Sequence, residues 1–241
     1  MISVILGILG LCIGSFLNVV IIRLPKSQSV VMPASHCPKC KTPLHWYHNI
    51  PLLSWVFLRG KCSTCKNAIS IQYPLIEASC GALFFYFATV LEPISAIAVG
   101  LTFSCLLALS LIDFRYKAVP DLLSLPTLLF ALLSRPGLES IQDALLFAGG
   151  FALLRILVSA WKKREAMGEA DIIIAAIIGA MLGGTLGLVA IYLSAIFALI
   201  GFVLVRKKDF ELPFIPFLSL GLFWTYIFQE PLLKLVGAYF G

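Results

Sequence analysis

Two sets of residues have the types and spacing to do chemistry. Cys37-Pro38-Lys39-Cys40 and Cys62-Ser63-Thr64-Cys65 are Cys-x-x-Cys pairs with 21 residues between them. A tight turn within each pair lets two sulfurs reach one ion, so Cys37, Cys40, Cys62 and Cys65 can close a tetrahedral zinc site. Such a site is structural, because four protein ligands leave no position for water. His36, His45 and His48 share this polar stretch, and the simpler reading for all three is surface histidines of a loop. The second set is acidic. Asp171, in Gly168-Glu169-Ala170-Asp171, stands where a basic segment turns into an apolar run beginning Ile172-Ile173-Ile174, and Asp113 ends another apolar run. A carboxylate at a bilayer edge is costly and is a functional candidate by default.

Two adjacent carboxylates cannot both ionise cheaply, so they share a proton. The ionised one can activate a water while the protonated one donates to a carbonyl oxygen, which hydrolyses a peptide bond with neither a metal nor a nucleophilic side chain. Blander roles fit the same residues. Asp171 can be a first-turn acid of a helix, and Asp113 a solvated loop charge or a partner of Arg115. Asp121, after Pro120, reads as an N-cap. Asp171, Ala175 and Gly179 recur every four residues. Small residues mark close helix packing in membranes, so this spacing turns Asp171 toward the bundle. Gly7, Gly10 and Gly14 form a similar stripe near the N-terminus. The sequence has no Gly-x-Ser-x-Gly, His-Glu-x-x-His or Walker A pattern, and its histidines lie only in the 36–48 stretch.

The elements that must position these groups are membrane helices. The 241 residues are 60% hydrophobic and the mean hydropathy is +1.00, well above a soluble domain. Apolar runs of about 20 residues span a bilayer. The expected spans are 2–22, 75–91, 94–112, 122–133, 141–161, two within 172–205 broken near Gly183-Gly184-Thr185-Leu186-Gly187, and 212–228. The fold expected is therefore an all-α polytopic membrane protein of about eight transmembrane helices. The first run lacks a basic leader and a cleavage site, so it reads as a retained helix. The tail after Glu230 has no assignment. The chain divides into a first helix at 1–22, a cysteine-rich loop at 23–73 and a membrane domain at 74–241. Cys12, Cys80 and Cys105 lie in apolar runs and act as small hydrophobes.

Orientation follows from charge. Of the 18 Lys and Arg, 15 lie in alternate connections: seven in 23–73, two in 113–121, three in 162–171 and three in 206–211. The positive-inside rule places these four segments in the cytoplasm and both termini outside. Asp113 and Asp171 then share one depth, at the cytoplasmic face. The net charge of +6 is spread over loops, which is not a nucleic-acid footprint. A cytoplasmic cysteine loop also favours zinc over disulfides.

The chain resembles the type IV prepilin leader peptidases, aspartic peptidases and N-methyltransferases of bacterial pilus and type II secretion systems. The resemblance rests on Gly14-Ser15-Phe16-Leu17-Asn18-Val19-Val20, Arg23-Leu24-Pro25, the cysteine loop from Ser35 to Cys62 with Trp46-Tyr47-His48-Asn49-Ile50-Pro51, and Tyr73-Pro74-Leu75-Ile76-Glu77. Asp113 with Pro120-Asp121 matches the family's first aspartate and Pro-Asp pair, and Gly168-Glu169-Ala170-Asp171 its Gly-x-Gly-Asp. Three residues depart from the pattern. Ala170 replaces a glycine, which removes backbone freedom beside Asp171. Gln72 stands for a usual arginine and Ile173 for a frequent lysine.

The resemblance implies catalysis by Asp113 and Asp171 at the inner membrane, on prepilins or pseudopilins carrying a basic leader. It also implies methylation of the new N-terminus, with S-adenosylmethionine as donor and the cysteine loop as its region. No methyl-donor residues and no oligomeric state can be read from the sequence. A peptidase without methylase activity is one alternative. A zinc-sensing transporter is another, but it calls for midplane acids and inverted repeats, which this sequence does not display.

Overall fold

A computed structural model describes residues 1–162, 168–205 and 213–240. The basic residues Lys163, Arg164, Arg206, Lys207 and Lys208, which carry part of the orientation reading, lie outside those residues. The described chain is helical and has no strands, only isolated bridges between His36 and Pro43 and between Lys61 and Ala68. Among the described residues nine α-helices follow one another: α1 (Ile2–Arg23), α2 (Leu53–Phe57), α3 (Gln72–Val90), α4 (Pro93–Tyr116), α5 (Asp121–Ser134), α6 (Leu138–Lys162), α7 (Glu169–Val205), α8 (Ile215–Ile227) and α9 (Gln229–Phe240). Five helical stretches among the described residues are long and apolar enough to cross a membrane: Ile2–Lys26, Gln72–Val90, Pro93–Tyr116, Leu138–Lys162 and Glu169–Leu204. The helices α5 and α8 are apolar but only 14 and 13 residues long.

Residues 1–108 and 109–241 form two compact units, divided within α4. In the first unit α1 and α3 pack antiparallel, and the glycine stripe is the seam. A Cβ at Gly10 would lie 2.6 Å from the Cys80 carbonyl oxygen, and one at Gly14 would lie 2.7 Å from the Glu77 Cα. Only glycine permits helices to approach this closely. Farther along, Asn18 is fully buried and its Nδ2 donates to the Tyr73 carbonyl at 3.1 Å. Proline opens the helices where its missing N–H does no harm: Pro93 is the first residue of α4, and Pro74 lies in the first turn of α3.

In the second unit α7 is central and packs against α5, α6 and α8. The run of 37 residues is broken at Gly183, whose φ of 75° and ψ of −174° leave the helical region. The break expected near Gly183 is therefore real, and it is confined to one residue. Ala175 is fully buried on α7, and a Cβ at Gly179 would meet the Asp143 carbonyl oxygen at 2.5 Å. At Gly179 this small-residue face is packed on α6. Two boundaries differ from expectation. The tail after Glu230 forms α9, and α4 continues through Tyr116, so Asp113 lies inside a helix rather than in a loop.

Candidate functional site

The two aspartates are held in the same way. Asp171 occupies the first turn of α7, and its Oδ2 accepts the Gly168 backbone N–H at 3.2 Å. An acid three residues past the cap that binds back to the cap's N–H is the return half of a capping box. The same oxygen on Asp113, Oδ2, accepts the N–H of Ile215 at 3.2 Å, the first residue of α8. Each carboxylate therefore satisfies an orphan donor at the N-terminus of a helix, in one case its own and in the other a helix 102 positions later. Both residues are only 8% exposed. Asp171 lies close enough to feel the charge of Asp113, and the Lys117 ammonium bears on Asp113.

Both blander readings contribute to this picture. Asp171 is indeed a first-turn acid, and that bond fixes its rotamer. Asp113 is buried, and the cation bearing on it is Lys117 rather than Arg115. Asp121 is exposed and follows Pro120, the cap itself, so it is a first-turn residue and not the N-cap expected. Ala170 sits in the first turn of α7 without a positive φ, so this backbone makes no use of a glycine's freedom there. One contact at this end of α7 lies beyond the motifs of the sequence. Arg155 on α6 donates twice to Glu169 Oε1, at 3.1 Å each. Arg155 interrupts an apolar helix, which was the available signal.

The four cysteines form the other site. Their sulfurs all lie within 4.8 Å of one another, with Cys37 to Cys65 at 3.8 Å and Cys40 to Cys62 at 4.0 Å. A Zn–S bond near 2.3 Å gives a tetrahedral edge of about 3.8 Å, so the spacing fits zinc. The two halves fold alike. In each, the first cysteine's carbonyl accepts from the residue four on (Lys41, Lys66) and its N–H donates to the residue five on (Thr42, Asn67). Lys41 and Lys66 both take positive φ, 59° and 57°. The Thr42 hydroxyl and backbone pull the Cys40 thiol down to about 6. At Cys65 the Asn67 backbone acts in the same sense, but burial and the neighbouring sulfurs prevail and push that thiol up to about 11. Four crowded thiols cannot all ionise together, and a divalent cation removes that conflict. His36 instead bonds the Ala34 carbonyl at 3.0 Å, and His45 stacks on Tyr47.

A third polar cluster joins the cysteine loop to the first unit's helices. Glu77 on α3 is buried, its Oε2 accepts the Leu52 N–H at 2.8 Å, and it also bonds the Ser15 side chain on α1. Gln72 reaches Asn18 Oδ1 at 3.4 Å. The sequence presents these residues as separate motifs and does not reveal that they meet.

Two known protein families match this chain. Residues 8–91 match the family described as Bacterial Peptidase A24 N-terminal domain. Residues 100–204, which contain both aspartates, match the Type IV leader peptidase family. Three relatives are named prepilin leader peptidase/N-methyltransferase. The protein of Stutzerimonas stutzeri is 38% identical over 249 residues, covering 89% of this chain and 86% of its own. That of Pseudomonas aeruginosa is 34% identical with the same coverage. That of Myxococcus xanthus is 42% identical over 190 residues, 75% of this chain, and the match spans just 56% of its length. No solved structure matches. The chain belongs to the type IV prepilin leader peptidase family.

Proposed function

We propose that this protein is a bifunctional membrane enzyme that removes the basic leader from type IV prepilins or pseudopilins and N-methylates the residue so exposed. The relatives' names carry both activities, and the peptidase family matched contains the aspartates. The observation that carries the chemistry is the pair itself: two buried carboxylates, near enough to interact, each with one oxygen tied to a helix N-terminus. Those bonds hold the side chains in place while the remaining oxygens serve the reaction. The ionised member takes a proton from water as it attacks the scissile carbonyl, and the protonated member donates to the carbonyl oxygen. Asp113 and Asp171 are the catalytic residues on this reading, and which of them begins protonated is set by the pair.

Cys37, Cys40, Cys62 and Cys65 hold a structural zinc that folds the loop at 23–73, the segment associated with methylation. S-adenosylmethionine is the donor that an N-methyltransferase of this family uses. The enzyme spans the bacterial inner membrane about eight times, α7 counting as two spans across Gly183. Its aspartates face the cytoplasm and its termini lie outside, as the distribution of Lys and Arg supports. Asp113→Asn and Asp171→Asn should each reduce leader removal by at least about a hundredfold, the usual scale of a lost acid–base group. Asp121→Asn should retain it. Mass spectrometry of a co-expressed pilin's N-terminus reads cleavage and methylation together. Full cleavage by either of the first two variants removes the dyad assignment.

A further inference from the structure

We propose that α2 is an interfacial helix: its outer face is embedded in the boundary between headgroups and acyl chains on the flank of the α1–α3 hairpin. The inference goes beyond the enzymatic reading and rests only on α1 and α3 crossing the membrane.

The depth of α2 is fixed by Glu77. Leu52, the residue before α2, donates its N–H to Glu77, and Glu77 bonds Ser15. Glu77 lies five residues into α3, about 7.5 Å along its axis, and Ser15 lies eight residues before the end of α1, about 12 Å from it. The loop therefore does not simply stand off the membrane. At Pro51-Leu52 it folds back down beside the two spanning helices, to the level of exposed Phe16 on α1 and Leu75 on α3. Those two side chains are open on spanning helices, at a depth where a bilayer would meet them.

At that level α2 is apolar on the outside. Leu53, Val56 and Phe57 share one helical face and are 56, 63 and 81% exposed. The inward side is already occupied, because the Trp55 ring covers Gly60 and its Nε1 donates to the Ile69 carbonyl at 3.4 Å. The backbone suits lipid, where unpaired amides are costly. The N–H groups of Leu52, Leu53, Ser54, Val56, Leu58, Arg59, Gly60 and Lys61 all have partners. Arg59, Lys61 and Lys66 follow immediately and are exposed, as cations that reach up to anionic headgroups are. Exposed Trp46 and Tyr47 add aromatic rings of the kind that settle at this boundary. A bilayer containing anionic lipid supplies both parts of this surface's complement, acyl chains for α2 and phosphates for the cations.

The test places the photoreactive residue p-benzoylphenylalanine at position 57 of the full-length protein, in vesicles of phosphatidylethanolamine and phosphatidylglycerol. The same probe at Leu75 is the lipid-facing reference, and at Thr64, exposed in the zinc turn, the aqueous one. Limited proteolysis matching that of the parent protein confirms that the loop is folded. After illumination, position 57 should give phospholipid adducts by mass spectrometry at a yield like that of 75 and well above that of 64. Lipid adducts at 75 but only the low yield of 64 at position 57 overturn the proposal, and so does preferential crosslinking of 57 to a co-expressed prepilin. A second measurement is independent of probe placement. In Val56→Glu/Phe57→Glu, amides 53–58 should exchange with solvent much faster than in the parent protein in the same vesicles. Equal exchange refutes the assignment. Leader cleavage enters neither readout, so loss of the enzymatic reading would leave this result intact.

Discussion

Gly179→Ala tests whether the seam between α6 and α7 sets the position of Asp171. The added Cβ would lie 2.5 Å from the Asp143 carbonyl oxygen, where ordinary contact begins at 3.4 Å, so the helices must part by 3.4 less 2.5, or about 0.9 Å. The obstacle is backbone and cannot rotate away. Overpacking of this kind costs about 1–3 kcal/mol, and alanine's better helix propensity returns about 1 kcal/mol. Net stability should therefore fall by no more than about 2 kcal/mol. On the proposed dyad, catalysis is more sensitive. Asp171 lies eight residues upstream on the same face, about 12 Å away, and a displacement near 1 Å in a reacting group costs about a hundredfold in rate. That is about 2.7 kcal/mol at 1.36 kcal/mol per decade. The assay is the initial rate of leader removal from a purified prepilin in lipid, with thermal unfolding measured on the same preparation. Gly150→Ala is the control, since nothing lies within 4 Å of a Cβ there. If Gly179→Ala cleaves as fast as Gly150→Ala, the packing of α7 on α6 does not set the catalytic geometry and the reasoning fails.

Other outcomes follow from the same contacts. Glu77→Leu strands the Leu52 N–H and should cost about 1–3 kcal/mol, seen as faster proteolysis within residues 50–60 while leader cleavage persists. Glu169→Gln breaks an ion pair whose acid is 83% exposed, a bond of the class that contributes about 0–1 kcal/mol; cleavage should change by no more than a few-fold. The cysteine cluster should bind one zinc per chain by metal analysis, and Cys37→Ser with Cys62→Ser should lose it. Thiolate ligands compete with protons, so a chelator should remove the metal faster as pH falls.

The sequence is most informative where a single residue type has one physical use. Paired Cys-x-x-Cys motifs lead directly to four sulfurs at zinc spacing. Glycines at 7, 10 and 14 announce a helix seam, and Gly183 announces a break. The span count is less legible because α5 and α8 are short, and hydropathy alone does not separate a short span from a buried helix. Polar residues crowd 113–117 and suggest a loop at Asp113, yet one more helical turn satisfies that backbone and carries the carboxylate to the amide of Ile215. Contacts of that kind are beyond periodicity. Nothing in the sequence near residue 113 specifies a partner 102 positions away, and nothing near Leu52 specifies Glu77.

The bond from Asp113 to Ile215 also has a consequence for the protein's synthesis. A nascent chain ending at residue 205 already contains both aspartates, but the amide that fixes Asp113 has not yet been made. Asp171 finds its partner at the start of its own helix, but Asp113 gains its tether only when α8 is made. On the proposed reading, the order of synthesis therefore completes the dyad last, after both of its carboxylates have already been made.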